Sequence, residues 1–402
     1  MKDTIIQFIK DKIKQIVRKA KKIFIKSCFS KLEGILFYMV FSSRKIITSR
    51  SNKTILFHIS FVDPPGMRLF QLFSHFLYCG YICYFDISFS RYMKLKRYGK
   101  KATLFKGVNP YSKKINSYSI VASDDNKYLK NTGDESLKIF LNFRVFEYLD
   151  NISKDDFFYP LVHHYKYNYP AIETGILSCA LISGRKIGAF FVGNKKINTY
   201  NSDITKKLFN VTTRYDMFNY IIEKLPNEIL YIPKNLESFL KDIELDFLKN
   251  KIVLLDINNF EIPREHYFKI LLQTDFFIHM CGVIYPYCHN QIESMMAGCI
   301  PITQFSDFYV PPFQHEKDSV LFQSLDGLID ILFKINLGYF SSAIQMMRRN
   351  IVDYYKTNYS FHSFKEKLLH ATNNHLNYVN YFITTGSNNI IQKLLQNNDN
   401  FI

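Results

Sequence analysis

The 402-residue chain has no tryptophan and is short of acid, with 35 Asp and Glu against 52 Lys and Arg, a formal charge of +17. It also lacks long apolar runs. The longest near its start, Ile35 to Phe41, is seven residues, where a membrane-spanning helix needs about 20. Lysines interrupt the apolar positions of the N-terminus, so the continuous core of a secretory signal is missing. Seven cysteines (Cys28, Cys79, Cys83, Cys179, Cys281, Cys288, Cys299) form no C-x-x-C pair, which gives no support to a zinc knuckle or a redox dithiol. Most lie in apolar surroundings and read as buried thiols in a reducing compartment. No HExxH, GxxxxGK[ST] or GxSxG sequence occurs, so zincin, P-loop and nucleophile-elbow chemistry find no footing.

What is present is ordinary globular material, 47% hydrophobic and 22% charged, enough for two or three domains with sizeable cores. The positive charge is concentrated. Residues 1–50 hold thirteen basic and three acidic side chains, ten of the seventeen net charges. Within them Ile5, Ile6, Ile9, Ile13, Ile16, Val17, Ala20 and Phe24 form one helical stripe flanked by lysines. The spacing predicts a basic amphipathic helix suited to an anionic membrane surface. A solvated helix packed on its own protein is the alternative.

From residue 54 the pattern becomes strand, turn, helix, strand. Thr54–Ile59 reads as a buried strand, Pro64-Pro65-Gly66 as a turn, residues 67–79 as a helix closed by Gly80, and Tyr81–Phe85 as the next strand. That order opens a doubly wound α/β domain, assigned to residues 51–170. Residues 150–185 read as an irregular link. A second α/β pattern, assigned to 171–384, starts with the strand Ile187–Val192 and continues with a helix over 203–224, strands at 229–232, 252–255, 276–280 and 300–303, and helices between them. Helices are expected over most of 325–383 and a polar tail from 385.

The most informative stretch runs from Asp275-Phe276-Phe277-Ile278-His279-Met280 through His289-Asn290-Gln291-Ile292-Glu293 to Gly298 and Ile300-Pro301-Ile302. It reads as strand, loop, helix, glycine stop, strand. Ligands of open parallel sheets bind beyond the carboxyl ends of the strands, and the first turn of a helix offers free N–H groups to a diphosphate. Glu293 is placed in that first turn, where it would accept hydrogen bonds from sugar hydroxyls. Asn290 and Glu293 also have the spacing of a capping box, which needs no ligand. Pattern alone leaves both readings open.

The segment HNQIESMMAGCIPI resembles the donor-binding segment of GT-B glycosyltransferases, and its setting resembles their exostosin-like and bacterial surface-polysaccharide branch. Phe308-Tyr309-Val310-Pro311-Pro312-Phe313 is similar to the Pro-rich segment that follows there. Phe190 to Asn194 is similar to the opening strand and loop of the second domain, Tyr200 and Thr213-Arg214 to its spaced Tyr and Arg, and Met347 to Tyr355 to its closing helix. The likeness covers roughly residues 155–365 and is specific only around 275–313.

The resemblance implies two Rossmann-like α/β domains facing a central cleft, and transfer of a sugar from a UDP- or GDP-linked donor to a glycan or lipid-linked acceptor at the cytoplasmic membrane face. It implies a donor site of Gly193, Asn194, Lys195, Arg214, His289, Asn290, Gln291 and Glu293. Many retaining members carry a Glu where this chain has Tyr285, which weakens a retaining outcome. No D-x-D occurs, so a metal-dependent GT-A plan is unsupported, and no metal or cofactor is expected. Basic side chains would then hold the leaving diphosphate. Arg214, with its bidentate fork, ranks above Lys195 and Lys196.

An inverting transfer needs a general base. Asp63, in the loop after the first strand, is the expected one, although a carboxylate before two prolines also fits a plain turn-former. His58 and His75 rank lower, as core histidines, while Arg68, in the same loop as Asp63, could touch an anionic acceptor or the diphosphate, and His163 and His164 lie near the linker and so toward the expected cleft. The competing functions are a basic nucleic-acid-binding protein, which lacks the interleaved aromatic and basic motif it would need, and a GT-B-like partner without activity. No nucleic-acid partner is expected.

Overall fold

The computed structural model describes residues 30–44, 53–60, 66–95, 97–111, 117–133, 136–143, 145, 148–160, 169–201, 203–283 and 285–384. The amphipathic stripe of residues 5–24, Asp63, His163, His164, the side chain of Arg68 and the polar tail lie outside the described residues. The chain divides into two compact units, Met1–Lys138 and Ile139–Ile402.

The first unit begins with helix α1, residues 30–42. The expected alternation follows as β1 (Thr54–His58), α2 (Gly66–Tyr78), β2 (Ile82–Asp86), α3 (Phe89–Lys94), α4 (Arg97–Ala102), β3 (Val108–Pro110), β4 (Ile120–Ser123) and α5 (Asn126–Lys130). The strands run in the order β3-β2-β1-β4, and each neighbouring pair is parallel. β1 is buried through Ile55, Leu56 and Phe57, and the Phe57 ring meets Phe73 and Phe76 of α2 edge to face. This is why a short apolar run forms a strand here. Burying each such side chain stabilises by about 1.5–3 kcal/mol, and a helix covers the sheet face that would otherwise be wet. His75 of α2 is fully buried.

The unit boundary falls inside β5 (Leu137–Asn142). The sheet order continues β4-β5-β13-β6, with β6 at Phe157–Phe158 and β13 at Tyr378–Phe382. Two expectations fail here. Residues 150–185 are not merely a link, since they contain β6 and helix α6 (Tyr169–Cys179). The helical stretch expected to reach 383 ends earlier, and β13 pairs in parallel with β6 through Tyr381 and Phe382. Alternation alone does not reveal a strand whose partner lies more than two hundred residues away.

The second unit is built on a six-stranded sheet in the order β12-β11-β10-β7-β9-β8, parallel at every pairing. Its elements are β7 (Ile187–Gly193), α7 (Ile197–Tyr200), α8 (Asp203–Phe209), α9 (Arg214–Lys224), β8 (Leu230–Tyr231), α10 (Leu236–Glu244), β9 (Ile252–Asp256), α11 (Arg264–Leu272), β10 (Thr274–Ile278), α12 (His289–Met296), β11 (Ile300–Thr303), β12 (Val320–Leu321), α13 (Leu325–Asn336), α14 (Ile344–Asn358) and α15 (Phe361–Asn373). β7 and β9 are apolar and buried through their centres, as strands covered on both faces must be.

The helix expected over 203–224 is two helices. Asn210 takes a left-handed backbone (φ 48°), and the Thr213 hydroxyl accepts the Asp216 N–H at 3.2 Å to start α9 afresh. The break places Arg214 at the head of a helix instead of mid-face. Both units are α/β and doubly wound, the expected class. No helix among the described residues is long and apolar enough to cross a membrane.

Candidate functional site

In the second sheet the chain passes from β7 to the edge strand β8 and back to β9 on one side, then outward through β10, β11 and β12 on the other. The order reverses between β7 and β10, and the carboxyl end of that pair is where an open α/β sheet receives a ligand. Arg214 occupies this point. Its Nε donates to the Cys281 carbonyl at 2.9 Å, just beyond β10, and its Nη1 to the Asn194 carbonyl at 3.3 Å, just beyond β7. The guanidinium stacks on the Tyr200 ring, 4.1 Å from its centroid. Arg214 is 2% exposed. Among the described residues no carboxylate lies within ion-pair distance of it.

A buried cation without a carboxylate is costly unless some other anion meets it. The nearest candidate is the Cys288 sulfur, 3.2 Å from Nη2. Burial alone would raise the Cys288 thiol, but Arg214, then His289 and the Asn290 N–H, outweigh it and bring the thiol down to about 6. Burial lowers His289, while Cys288 and Glu293 carry it up to about 9. Site and partner together form a cationic corner at the N-terminus of α12.

The loop from β10 to α12 is fixed by Gln291, which is fully buried. Its Oε1 accepts the Cys288 N–H and the Tyr309 hydroxyl, each at 3.0 Å, and its Nε2 donates to the Pro286 and Met280 carbonyls at 3.0 and 3.3 Å. Gly282 lets the loop close, because a Cβ there would sit 2.4 Å from the Tyr287 carbonyl oxygen. Tyr285, in the same loop, is buried. The capping pair of α12 is therefore Cys288 with Gln291, and the Asn290–Glu293 box, the alternative that the spacing left open, does not form. The register was misjudged because the helix begins at His289. Glu293 accordingly stands past the first turn. It is 1% exposed and accepts the Tyr267 hydroxyl at 2.7 Å through Oε2. Tyr267→Phe should lower stability by about 1.5–3 kcal/mol, the worth of a hydrogen bond to a charged group. Urea denaturation measures it, and an unchanged midpoint would show the carboxyl satisfied without that hydroxyl.

The structure brings most of the expected donor residues together and separates their roles. Gly193 ends β7, where a Cβ would come within 3.2 Å of Arg214 Nη1. The Asn194 side-chain oxygen accepts the Lys196 N–H at 2.8 Å and Asn258 Nδ2 at 3.1 Å. Lys195 lies over the Phe218 ring at 4.5 Å, and Lys196 is exposed. Asn290 donates to the Val192 carbonyl at 2.9 Å, tying α12 to β7, while its buried Oδ1 has no partner among the described residues. Gln291 spends its amide on the loop. Cys288 is the residue the sequence reading missed. The signal was a Cys-His pair directly before a helix start, which apolar context alone classed as a buried thiol.

A second cluster lies at the carboxyl edge of the first unit's strands. Its order reverses between β1 and β4. His58 ends β1, Asp86 ends β2, and Ser123 ends β4. His58 Nδ1 is 2.8 Å from Asp86 Oδ2, an arrangement that puts the proton on Nδ1 and leaves Nε2 as the acceptor. The imidazole stacks on Tyr128, with ring centroids 3.7 Å apart and planes 7° apart. Beside it Asp124 accepts the Ser60 N–H at 2.7 Å. Burial raises that carboxyl, while Ser60 and His58 pull it back. His58 is thus at a ligand edge and not the core histidine its sequence context suggested, and Asp86, Asp124 and Tyr128 were not singled out. Only the parallel pairing of β1 with β2 and β4 collects them. Among the described residues no cluster of His, Cys, Asp and Glu could hold a metal ion.

No family model matches the chain, and no curated protein matches it. Similar solved structures include a glycosyltransferase from Rickettsia africae (9% identity, 82% of this chain and 99% of that one, TM-score 0.42). Others are Anabaena HepE in complex with UDP (9%, 80% and 100%, 0.40) and WaaG, a glycosyltransferase involved in lipopolysaccharide biosynthesis (9%, 78% and 98%, 0.31). Likenesses this distant carry nothing about the donor or acceptor of this chain.

Proposed function

We propose that the chain is a GT-B-type glycosyltransferase whose second unit binds a nucleotide-sugar and whose first unit supplies the base for the acceptor hydroxyl. The observation that carries the reading is Arg214, a buried guanidinium with no carboxylate partner among the described residues, spanning the strand ends where the second sheet reverses its order. A nucleoside diphosphate supplies the missing anion. In the transfer the bond from the anomeric carbon to the diphosphate oxygen breaks as the acceptor oxygen bonds to that carbon. Charge grows on the diphosphate, and a cation already fixed in place stabilises that growth most. His58, oriented by Asp86, accepts the acceptor proton at Nε2. Asp63 remains a second candidate for that task.

Membrane-surface contact belongs to the same reading. On α1, Leu32, Ile35, Leu36, Met39 and Val40 are 38–59% exposed at helical spacing, while Phe41 on the opposite side is buried and stacks on Tyr92. An apolar stripe beside the basic residues of 1–50 suits an anionic bilayer and a lipid-linked or surface glycan acceptor.

The test is a thermal-shift series of nucleotides and nucleotide-sugars on the full chain. Ligand binding to the folded state raises Tm by mass action. UDP or GDP compounds should shift it, and Arg214→Gln should weaken the binding by about 10- to 100-fold, the worth of a charge-assisted contact. A cooperative melt that no nucleotide moves would sink the reading.

A further inference from the structure

Cys288 stands at the N-cap of α12 with its sulfur 3.2 Å from Arg214 Nη2 and 3.9 Å from His289 Nδ1. Both Cys288 and His289 are half-buried. Arg214 is buried and, among the described residues, without a carboxylate. Among the described residues the Cys288 sulfur, the Tyr200 hydroxyl and the Cys281 thiol are the acidic groups that face it, and Cys288 acts on it most strongly.

We propose that Cys288 is a modification site, a thiolate resting on Arg214 that reacts with soft electrophiles and peroxides and, once derivatised, closes the donor's diphosphate position to its ligand. The last part rests on the glycosyltransferase reading; the reactivity does not.

The other buried thiols of this unit show what the arrangement contributes. Burial pushes Cys281 and Cys299 up to about 11, whereas Cys288 goes the opposite way. Thiolates are the reactive form, and cationic neighbours at a helix N-terminus are what favour them. With hydrogen peroxide, the sulfur forms an S–O bond as the O–O bond breaks. The departing hydroxide takes the proton of the His289 imidazolium. The products are a sulfenic acid, water and neutral imidazole. A neutral sulfenic acid offers Arg214 no counter-charge, and its added oxygen takes up space beside the guanidinium.

The diphosphate and the thiolate compete for one guanidinium. Donor binding should therefore drive a proton back onto Cys288 and protect it from reaction. Conversely, a thiolate on Arg214 weakens donor binding as pH rises through the thiol's range.

The experiment is iodoacetamide labelling of the full wild-type chain at pH 6.5 and 8.5. Carboxamidomethylation of Cys288 is followed by peptide mass spectrometry, with a free cysteine peptide in the same solution as reference. Sulfur displaces iodide, so the rate follows the thiolate fraction. An ordinary thiol slows roughly 50-fold between these two pH values. Cys288 should slow less than about threefold. A parallel roughly 50-fold fall in both would overturn the thiolate. A second arm adds UDP and, separately, GDP, one of which should slow Cys288 labelling at least about tenfold. Acid-tolerant labelling that both leave untouched would keep the reactive thiolate and overturn its coupling to the donor. His289→Gln should restore part of the pH dependence, and an unchanged profile in that variant would remove His289 from the arrangement.

Discussion

His58→Ala should lower kcat for sugar transfer by about 10²- to 10⁴-fold, the usual contribution of a positioned general base, with KM for the donor little changed. The ring sits at the carboxyl end of β1, beside the point where the first sheet reverses. Its Nδ1 is held by Asp86 at 2.8 Å, and its plane is fixed against Tyr128. An imidazole held on one nitrogen and one face presents the other nitrogen in a defined direction, which is what proton abstraction requires. A structural role would show as a lower Tm with kcat retained at temperatures where the variant is folded. A base would show the reverse. Asp86→Asn keeps the size and removes the charge, so it should produce an intermediate loss through a misoriented ring. Asp63→Asn, assayed in parallel, separates the two candidate bases. A folded His58→Ala variant within tenfold of wild type would remove the pair from the chemistry.

Arg348→Ala should cost about 3–5 kcal/mol of stability, as breaking one partner out of a buried ion pair does. Arg348 is 0% exposed. It pairs through Nη2 with Asp275 at the start of β10, and donates to the Gly298 and Ile182 carbonyls at 3.2 Å each. It therefore ties α14 to both ends of the segment from β10 to Gly298. Nearby Arg185 makes four contacts with backbone carbonyls, and burial lowers it to about 10. Burial raises the Asp275 carboxyl even though Arg348 and Arg185 oppose it. A carboxyl raised in the folded state contributes stability at low pH that is lost as pH rises through its folded value. Without Arg348 that rise grows. The deficit of Arg348→Ala should thus be larger at pH 7 than at pH 5 in urea titrations, and Arg348→Met with Asp275→Asn should recover most of it. A deficit that does not change with pH would mean that lost packing, not the stranded carboxylate, sets the cost.

Much of this fold is legible in the sequence wherever burial is two-sided. β7 and β9 are continuous apolar runs, and their neighbours in the sheet can only be other buried strands. Boundaries near Gly80 and Gly298 could be read too, because both adopt the left-handed backbone that ends a helix. What could not be read depends on distant partners. Tyr378–Phe382 is a strand because β6 receives it. The helix over 203–224 breaks because Thr213 offers a better cap than a continued turn. The site divides in the same way. Arg214 could be named from the family resemblance, but not that two strand ends converge on it. His58 and Asp86 lie 28 residues apart, and only parallel pairing puts them side by side. Cys288 was classed by its apolar neighbours in sequence, when its neighbours in space are cations.

One glutamine, Gln291, holds the backbone of the loop between β10 and α12 from within the core. That leaves the outward residues of the loop, such as the exposed Val283, unburdened by the task of shaping it. Mutations there can alter what a ligand meets without displacing the guanidinium underneath. If the proposed function holds, recognition of the sugar can then drift during evolution, or be engineered, while the grip on the anion is inherited unchanged.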